Sequence, residues 1–280
     1  MRIIKSIAEM QAICRELRLK GAVLGLVPTM GALHEGHLSL VRRARTECNA
    51  LAVSIFVNPL QFGPGEDLAR YPRTFEEDCG LLEAQGVELL FAPEAAEMYR
   101  PGAVTTVTVS EVGDRLDGAS RPGHFTGVAT VVAKLFHIVG PSRAYFGQKD
   151  AAQLAVLHQM ARDLNFDVEI VGCAIVRDAD GLALSSRNKY LSTTERKQAL
   201  VLHQALLRME KMIAEGERQN DVLMREGTKF FQAGTGVRLD YLAIVDPNTL
   251  VPIASVKGNT LVAVAAYVGS TRLIDNFIST

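Results

Sequence analysis

The sequence predicts an α/β protein, with a parallel-sheet domain first and a smaller α+β domain after it. Short apolar runs alternate with helix-like segments up to about Val176, which is typical of a parallel sheet with right-handed crossovers. Beyond that residue, two long charged helical segments precede three strand-like runs. The chain has 280 residues, more than one hydrophobic core usually serves. We therefore expect two domains, residues 1–176 and 177–280.

The first helix is predicted from Ser6 and Glu9, which have capping-box spacing, to Gly21, which suits the position after a last helical turn. Strands are expected in the short apolar or β-branched runs at 22–27, 51–57, 87–91, 104–109, 144–147, 168–172 and 174–176. Further helices are expected at 37–48, from Thr74 to near Gly86, at 125–139 and at 150–164, the last with Asp150 as N-cap. The second region is expected to hold helices at 193–215 and 220–233 and strands at 240–246, 260–268 and 271–278.

Composition and charge exclude several classes of protein. Hydrophobic residues make up 48% and charged residues 22%, so the chain is neither disordered nor a small disulfide-stapled protein. With 30 Lys and Arg against 31 Asp and Glu, it lacks an overall positive field for holding nucleic acid. No apolar run reaches the roughly 18 residues of a membrane span, and the first residues lack a signal-peptide core. The four cysteines form no CxxC pair, so we expect reduced thiols and a cytoplasmic location.

The strongest local signal is the turn PTMGALHEGH at 28–37, directly after a predicted strand. Gly31 and Gly36 permit a tight turn, and the next helix begins where its free N–H groups can face an anion. His34 and His37 are three residues apart, so both can lie on one side of that turn. Imidazoles there could stabilise charge on phosphate oxygens in a transition state. The alternative is a purely structural pair of histidines.

Two better-known motifs share letters with this turn but do not fit it. The zinc-protease motif HExxH needs histidines four residues apart, whereas these are three apart and no third ligand is evident. The G-x4-G spacing resembles a P-loop, but His37 and Leu38 stand where that loop needs Lys and Ser or Thr. Neither a zinc protease nor a P-loop enzyme is predicted.

Two further segments present phosphate-binding groups. Lys149 in FGQKD stands where a strand ends and a helix begins, a natural place for a phosphate ligand. The segment DGLALSSRN at 180–188 offers adjacent hydroxyls, loop N–H groups and Arg187 at the junction of the two regions. We expect the donors of this loop to gain partners when a triphosphate binds. A solvated lysine and an ordinary linker are the alternatives.

Neutral amides are predicted to complete the site. Asn58 and Gln61 follow a strand, and ligands of open parallel sheets bind at the carboxyl ends of strands. Gln153 lies one helical turn after Lys149. Such amides suit recognition of hydroxyls or carboxylates, although by spacing alone each Gln is equally a surface residue. No catalytic triad or carboxylate pair stands out, which favours phosphate positioning without a covalent enzyme intermediate. The remaining histidines are interpreted as structural or solvated: His124, His137, His158 and His203.

A resemblance to a known family rests on five motifs in order: PTMGALHEGHLSLV, SIFVNPLQFGPGEDLARYPRT, RPGHFTGVATVVAKLF, FGQKD with Gln153, and DGLALSSRNKYLS. They resemble the pantothenate synthetase (pantoate–β-alanine ligase) family over most of residues 22–192, and TLVAVAAYVGSTRLIDN continues the match. His34 to His37 is similar to the HxGH signature of the nucleotidylyltransferase superfamily, and LSSRN to its KMSKS-type loop.

The resemblance implies a cytoplasmic homodimer whose chains have a Rossmann-like N-terminal domain and a C-terminal lid domain. It implies ligation of pantoate and β-alanine to pantothenate at the expense of ATP. The pantoate carboxylate attacks the α-phosphorus of Mg-ATP, giving pantoyl adenylate and pyrophosphate, and the amine of β-alanine then displaces AMP. Mg²⁺ is expected to arrive with ATP, without an assigned protein ligand. Neither nucleic acid nor a membrane is expected as a partner.

Motif matching also assigns site residues. His37 is expected to be catalytic, with His34 and Lys149 assisting, while Gln61 and Gln153 hold pantoate and Gln61 also lies near β-alanine. The residues expected to bind ATP are Met30, Gly31, Ala32, Leu33, His34, Glu35, Gly36, His37, Gly147, Gln148, Lys149, Asp150, Val176, Leu184, Ser185, Ser186 and Arg187. The chain departs from the family's common GEKD, KDYQQ and Arg patterns at Gln148, Ala151, Ala152 and His158.

Three other functions stay open at the level of sequence. A nucleotidylyltransferase that transfers AMP or CMP to an alcohol phosphate keeps both histidines but does not need NPLQF together with Gln153. A truncated aminoacyl-tRNA synthetase needs a basic tRNA-binding region, which this sequence lacks. A non-catalytic nucleotide-binding regulator would tolerate the loss of His37 or Lys149, yet both are present.

Overall fold

A six-stranded parallel sheet forms the centre of the N-terminal region. The computed structural model describes residues 1–232 and 236–279. The strands of this sheet are β1 (Arg2–Ile4), β2 (Leu24–Thr29), β3 (Ala50–Ile55), β4 (Leu89–Phe91), β5 (Arg143–Gly147) and β6 (Glu169–Cys173). They lie in the order β1-β4-β3-β2-β5-β6, and every pair is parallel. The strand order reverses between β2 and β5, which is where open parallel sheets bind their ligands.

The helices of this region connect and cover the strands. They are α1 (Ile7–Leu19), α2 (Glu35–Glu47), α3 (Phe75–Ala84), α4 (Ala95–Met98), α5 (Asp117–Ser120), α6 (His124–Val139) and α7 (Ala151–Asp163). Helix α6 is apolar around most of its circumference, as a helix buried within a core must be. It packs against α1 and α7 and against the turn Pro59–Gln61 that follows β3. Within the described residues, no helix is long and apolar enough to cross a membrane.

The C-terminal region is a three-stranded antiparallel sheet with two helices. After α8 (Thr193–Ala214) and α9 (Asn220–Thr228) come β7 (Val237–Val245), β8 (Thr260–Val268) and β9 (Thr271–Ser279), in the order β7-β8-β9. Successive side chains of β8 point to opposite faces, as in any strand. Leu261 and Ala263 join the core that contains α6, while Val262 and Val264 pack with α8 and α9. The sheet is therefore buried on both faces, and the predicted fold class is confirmed.

Several predicted elements differ from those observed. Residues 104–109 form no strand; instead the Val107 N–H donates to Thr130 Oγ1 of α6 (2.9 Å). A β-branched run marks a surface that packs well, and here the packing partner is a helix. Residues 174–176 are also not a strand, because the chain turns into a hairpin in which the Leu184 N–H donates to the Val176 carbonyl (3.0 Å).

Helix boundaries and caps show smaller differences. The helix predicted at 220–233 ends at Thr228 and continues as a 3₁₀ turn, Lys229–Phe231, and residue 233 lies outside the described residues. Ser6, Thr74 and Asp150 are N-caps as predicted, but none makes a side-chain capping bond. Glu9 pairs with Arg2 (2.7 Å), so the predicted capping box is wrong. Strand β1 was not predicted, because three residues are too few to show a period.

Candidate active site

A cavity of about 230 Å³ lies at the carboxyl ends of β2, β3 and β5. Its walls come from the turns after these strands, from α6, from the segment after β6 and from the loop 184–187. The predicted site residues that line it are Met30, His34, Gly36, His37, Gln61, Gly147, Lys149, Asp150, Gln153, Val176, Leu184, Ser185, Ser186 and Arg187. The structure therefore brings the three segments that were predicted to bind phosphate and both glutamines together in one space.

Five predicted ATP-binding residues lie outside the cavity lining. Ala32 and Leu33 are buried within the turn after β2. Glu35 is exposed and pairs with Arg42 of α2. The others are Gly31 and Gln148. Contact between ATP and these five residues stays a prediction.

A buried carboxylate from α3 shapes the turn after β2. Asp78 is 1% exposed and accepts the N–H groups of Ala32 (2.9 Å) and Leu33 (2.8 Å). The turn needs glycine at position 31, where φ is +80° and a Cβ would lie 3.0 Å from the Asp78 carboxylate. Ala32 follows at φ +49°. Asp78 therefore fixes the backbone of the turn that leads into His34 and His37, although it lies 46 residues further along the chain than Ala32.

The two histidine rings lie against each other, tilted, at the start of α2. Their ring centroids are 4.1 Å apart with an interplanar angle of 39°. The Gly36 N–H donates to Nδ1 of His34 (3.2 Å), and the His34 N–H donates to Nδ1 of His37 (3.4 Å). Since Nδ1 is an acceptor in both rings, the proton of each neutral imidazole lies on Nε2. Each histidine can therefore donate one hydrogen bond from Nε2 to a ligand in the cavity.

Both imidazoles are held neutral by their surroundings. Burial and then the nearby charge of Lys149 lower the pKa of His34 to about 4. Burial, followed by the neighbouring His34 and by Lys149, lowers the pKa of His37 to about 3. At neutral pH these residues are thus hydrogen-bond donors without charge, and the fixed positive charge beside them belongs to Lys149.

Lys149 lies in a short turn between β5 and α7. The turn, Gln148–Asp150, follows directly from the last residue of β5. The Lys149 side chain is 19% exposed, and its Nζ lies 3.6 Å from Asp150 Oδ1. That distance is within reach of an ion pair but too long for a hydrogen bond, so the ammonium group keeps its donors for an anion.

The loop 184–190 is bonded to two other walls of the cavity. Ser186 Oγ donates to the Ala32 carbonyl (3.1 Å), and Tyr190 donates to the Arg70 carbonyl (3.1 Å). The Arg187 guanidinium forms a bidentate pair with Asp67, with both bonds at 2.9 Å. This differs from the expectation that the donors gain partners when a triphosphate binds, because two of them already have partners within the protein.

An amide pair forms the opposite end of the cavity. Gln61 donates to Met30 Sδ (3.0 Å) and accepts from Asn58 Nδ2 (3.1 Å). Asn58 is 1% exposed and is oriented by the Tyr99 hydroxyl, which donates to its Oδ1 (2.7 Å). The adjoining wall is apolar and consists of Phe56, Val128, Val131, Val132 and Leu135. A small, branched, hydroxylated molecule suits this combination of amides and apolar surface.

Comparison with known proteins settles the family. The family model described as pantoate-beta-alanine ligase matches residues 2–278. The chain belongs to the pantoate–β-alanine ligase family. A pantothenate synthetase from Acidobacterium capsulatum is 60% identical, covering 99% of this chain and 97% of the relative. The resemblance stated from the motifs is thus confirmed.

Solved structures of the ligase family share the fold. The pantothenate synthetase of Thermus thermophilus superposes with a TM-score of 0.94 at 50% identity, covering 99% of each chain. A pantoate-beta-alanine ligase from Francisella tularensis, complexed with beta-gamma ATP and beta-alanine, has a TM-score of 0.81 at 34% identity, covering 99% of this chain and 97% of its own.

Two residues of this ligase-family site were not predicted from the sequence. Arg121 forms a bidentate pair with Glu66 (2.6 and 2.8 Å), and its Nη1 lies 3.0 Å from Nε2 of His124. Because arginine only donates, Nε2 of His124 accepts, and Nδ1 donates to the Gln61 carbonyl (2.8 Å). Burial and the Arg121 charge lower the pKa of His124 to about 4. The RPGHF motif of the resemblance contained both residues, but a lone histidine has no spacing that marks it as functional.

Proposed function

We propose that this chain ligates pantoate and β-alanine to pantothenate with ATP, through a pantoyl adenylate, releasing AMP and pyrophosphate. One observation carries the proposal: two neutral Nε2–H imidazoles, a lysine and a serine–arginine loop line the same cavity as two glutamines and an apolar wall. The first set suits phosphates and the second a small hydroxy acid. The names of the relatives and the ligands of the Francisella structure support the same reaction.

We assign the phosphate side to His34, His37, Lys149 and the loop Ser185–Arg187. We also assign adenine contact to Val176, as motif matching implies, and its position at the base of the hairpin that carries this loop supports the assignment. Gln61 and Gln153 bind pantoate, and Gln61 also contacts β-alanine. We further propose that residues 1–176 bind nucleotide and pantoate, and that residues 177–280 act as a lid.

In the first step, a carboxylate oxygen of pantoate attacks the α-phosphorus. A new O–P bond forms, the bond from the α-phosphorus to the oxygen bridging it to the β-phosphorus breaks, and pyrophosphate leaves. Negative charge grows on the phosphoryl oxygens during this attack. The Nε2–H group of His37 donates to them, with His34 beside it, and the Lys149 ammonium balances the charge of the leaving group. Neither imidazole changes its protonation state, which agrees with their low pKa values.

In the second step, the free amine of β-alanine attacks the acyl carbon of the adenylate. The C–N bond forms, the bond from the acyl carbon to the AMP oxygen breaks, and the amine loses a proton to water. The Gln61 amide holds the acyl group in place. Enclosure by α6 and the loop 184–187 keeps water from hydrolysing the adenylate.

Mg²⁺ fits this site as a companion of ATP. Mg²⁺ is usually held by one or two carboxylates and the substrate phosphates. Within the described residues, no cluster of three or more His, Cys, Asp or Glu side chains could hold a metal on its own. We propose that Asp150, a carboxylate in the cavity wall, assists the phosphates in holding the ion. When bound, the ion neutralises phosphate charge.

We also propose a cytoplasmic location and a homodimer. Four free cysteines, none of them paired, agree with a reducing compartment. The side chain of Val104 is 92% exposed within a segment, 104–109, that has no strand partner of its own. This segment is where a second copy would bury apolar surface.

Pantoate-dependent exchange of labelled pyrophosphate into ATP tests the function. The exchange should proceed without β-alanine, because the first step needs only ATP and pantoate. Adding β-alanine should convert the mixture to pantothenate and AMP. Exchange that does not depend on pantoate, or that requires an alcohol phosphate instead, would refute the proposal and favour a nucleotidylyltransferase.

A further inference from the structure

Two neighbouring residues of β9, Asp275 and Asn276, contact two separate walls of the site without lining the cavity. Their side chains are 3% and 2% exposed. Because successive residues of a strand point to opposite faces, Asn276 faces the N-terminal region and Asp275 faces the α8 side of the sheet. They belong to the TRLIDN motif, to which the reaction assigns no role.

Asn276 binds the two backbone carbonyls that lie on either side of the Lys149 Cα atom. Its Nδ2 donates to the Gln148 carbonyl (3.0 Å) and to the Lys149 carbonyl (2.9 Å). Its Oδ1 accepts from the Gln148 side chain (3.3 Å). A single buried amide thereby fixes the orientation of the turn that aims the Lys149 side chain into the cavity.

Asp275 contacts the second wall of the site, which is the hairpin that leads into the loop 184–187. It receives both Nη groups of Arg177 (2.6 and 2.9 Å), and Arg177 in turn donates to the Gly181 carbonyl (3.1 Å). Arg177 pairs with Ala183 across the hairpin that leads from Val176 to the loop 184–187. One dipeptide of β9 thus bonds to the lysine turn and to the base of the serine–arginine loop.

We propose that Asn276 is a positioning residue for Lys149, and that Asp275 holds the hairpin in a fixed position relative to the turn that carries Lys149. The proposal rests on the proposed function, since Lys149 is taken to bind the nucleotide phosphates. Strand β9 sets the spacing between the two phosphate-binding walls, so the C-terminal sheet contributes to ATP affinity through residues that do not reach the nucleotide.

The test is a double-mutant cycle that measures the Kd for Mg-ATP. In Asn276→Asp, carboxylate oxygens replace the amide donors and face two carbonyl oxygens. We expect Kd to rise about 10-fold or more, because the turn loses both hydrogen bonds donated by the amide, while KM for pantoate changes less than about 2-fold. In a Lys149→Ala background, the same substitution should change Kd by less than about 2-fold, because its effect passes through Lys149.

Two control variants separate positioning from general destabilisation. Asp275→Asn acts through Arg177, so its effect on Kd should persist in the Lys149→Ala background. Val268→Ala removes two methyl groups from the core of the same sheet, away from the site, and should leave Kd unchanged. Asn276→Ser, which keeps one donor and adds no charge, replaces Asn276→Asp if that variant melts below the assay temperature.

The outcomes are distinct. Folded Asn276 variants that bind Mg-ATP like the wild type would overturn the proposal. So would an equal effect with and without Lys149, an equal loss in Val268→Ala, or a Lys149→Ala background that abolishes the Asp275 effect as well. Suppose the wild type binds Mg-ATP but does not exchange labelled pyrophosphate into ATP when pantoate is present. That result would refute the proposed function, while the double-mutant cycle on Kd would still decide the role of Asn276.

Discussion

At the residue scale, the proposed chemistry depends on the protonation state of two imidazoles. Their spacing in HEGH predicted that His34 and His37 would lie on one side of a turn, and they do. The sequence could not predict the tautomer, because it depends on which backbone N–H reaches each Nδ1. It also could not predict Asp78, whose carboxylate meets the turn only after the chain has folded around a strand and a loop.

His37 is predicted to act as a neutral donor. His37→Ala should lower kcat by roughly 100-fold, about 3 kcal/mol of transition-state stabilisation, with the fold retained. His37→Gln places an amide N–H near the former Nε2 and should lose only roughly 10-fold. His137→Ala, an exposed histidine of α6, is the control and should be unchanged. Initial rates of adenylate formation measure the effect of each variant. Normal adenylation by folded His37→Ala would remove His37 from the mechanism.

At the element scale, the site depends on how closely the turn after β3 approaches α6. The Asn58 amide donates to the Gly127 carbonyl (3.1 Å), and a Cβ at position 127 would lie 2.2 Å from the Leu60 carbonyl oxygen. The pattern of apolar runs predicted both elements, but the contact between them was not visible, since periodicity shows which face is buried and not what it meets. The same limit explains the wrong strand at 104–109.

Gly127→Ala is predicted to disturb this contact. The added methyl group cannot be accommodated without moving backbone, so unfolding free energy should fall by about 2 kcal/mol or more, and KM for pantoate should rise. Gly80→Ala is the matched control, because a Cβ at this helical glycine of α3 would meet no atom within 4 Å beyond its chain neighbours and the backbone of its own helix. That substitution should stabilise the protein by about 0.5 kcal/mol. Urea unfolding measures both, and equal effects would contradict the close-approach argument.

The ion pair between Asp67 and Arg187 is predicted to keep the loop 184–190 closed before ATP arrives. Asp67→Asn should accelerate trypsin cleavage after Arg187, and Mg-ATP should slow it again, since phosphate oxygens replace the lost carboxylate. Glu226→Gln, which removes the partly buried partner of the exposed Lys229, is the control. Cleavage that is as slow in Asp67→Asn as in the wild type, without nucleotide, would show that the pair does not hold the loop.

At the scale of the whole molecule, the strand order explains why distant motifs meet. The turn with the histidines follows β2, and the turn with Lys149 follows β5, the two neighbours at which the order reverses. Alternating strands and helices predicted a parallel sheet, but not this order, and so not why the two motifs are adjacent. The packing of the C-terminal sheet against the core of the N-terminal region was also not predicted, because β8 is apolar on both faces and shows no alternation.

Stability is predicted to fall as the pH falls below neutrality. Burial lowers the pKa of His34, His37, His124, His158 and His203. The unfolded chain therefore binds protons below about pH 6.5 that the folded chain does not, so unfolding free energy decreases from pH 6.5 toward 5. The decrease is up to about 1.4 kcal/mol per pH unit for each of His34, His37 and His124, whose pKa values in the folded chain are about 4, about 3 and about 4. His37→Gln removes one titrating group, so the number of protons taken up on unfolding should fall by about one and the slope should become correspondingly smaller. Urea titrations at several pH values measure it, and a flat profile would contradict the buried neutral histidines.

Activation of pantoate as an adenylate is tested most directly by an oxygen-18 tracer. Pantoate labelled in both carboxylate oxygens is turned over completely with ATP and β-alanine, and the products are examined by mass spectrometry. Attack on the α-phosphorus transfers one labelled oxygen to AMP, while the other stays in the amide carbonyl of pantothenate. The adenylate route therefore predicts one oxygen-18 in AMP and none in pyrophosphate. Label in inorganic phosphate with ADP as the product, or unlabelled AMP, would contradict it.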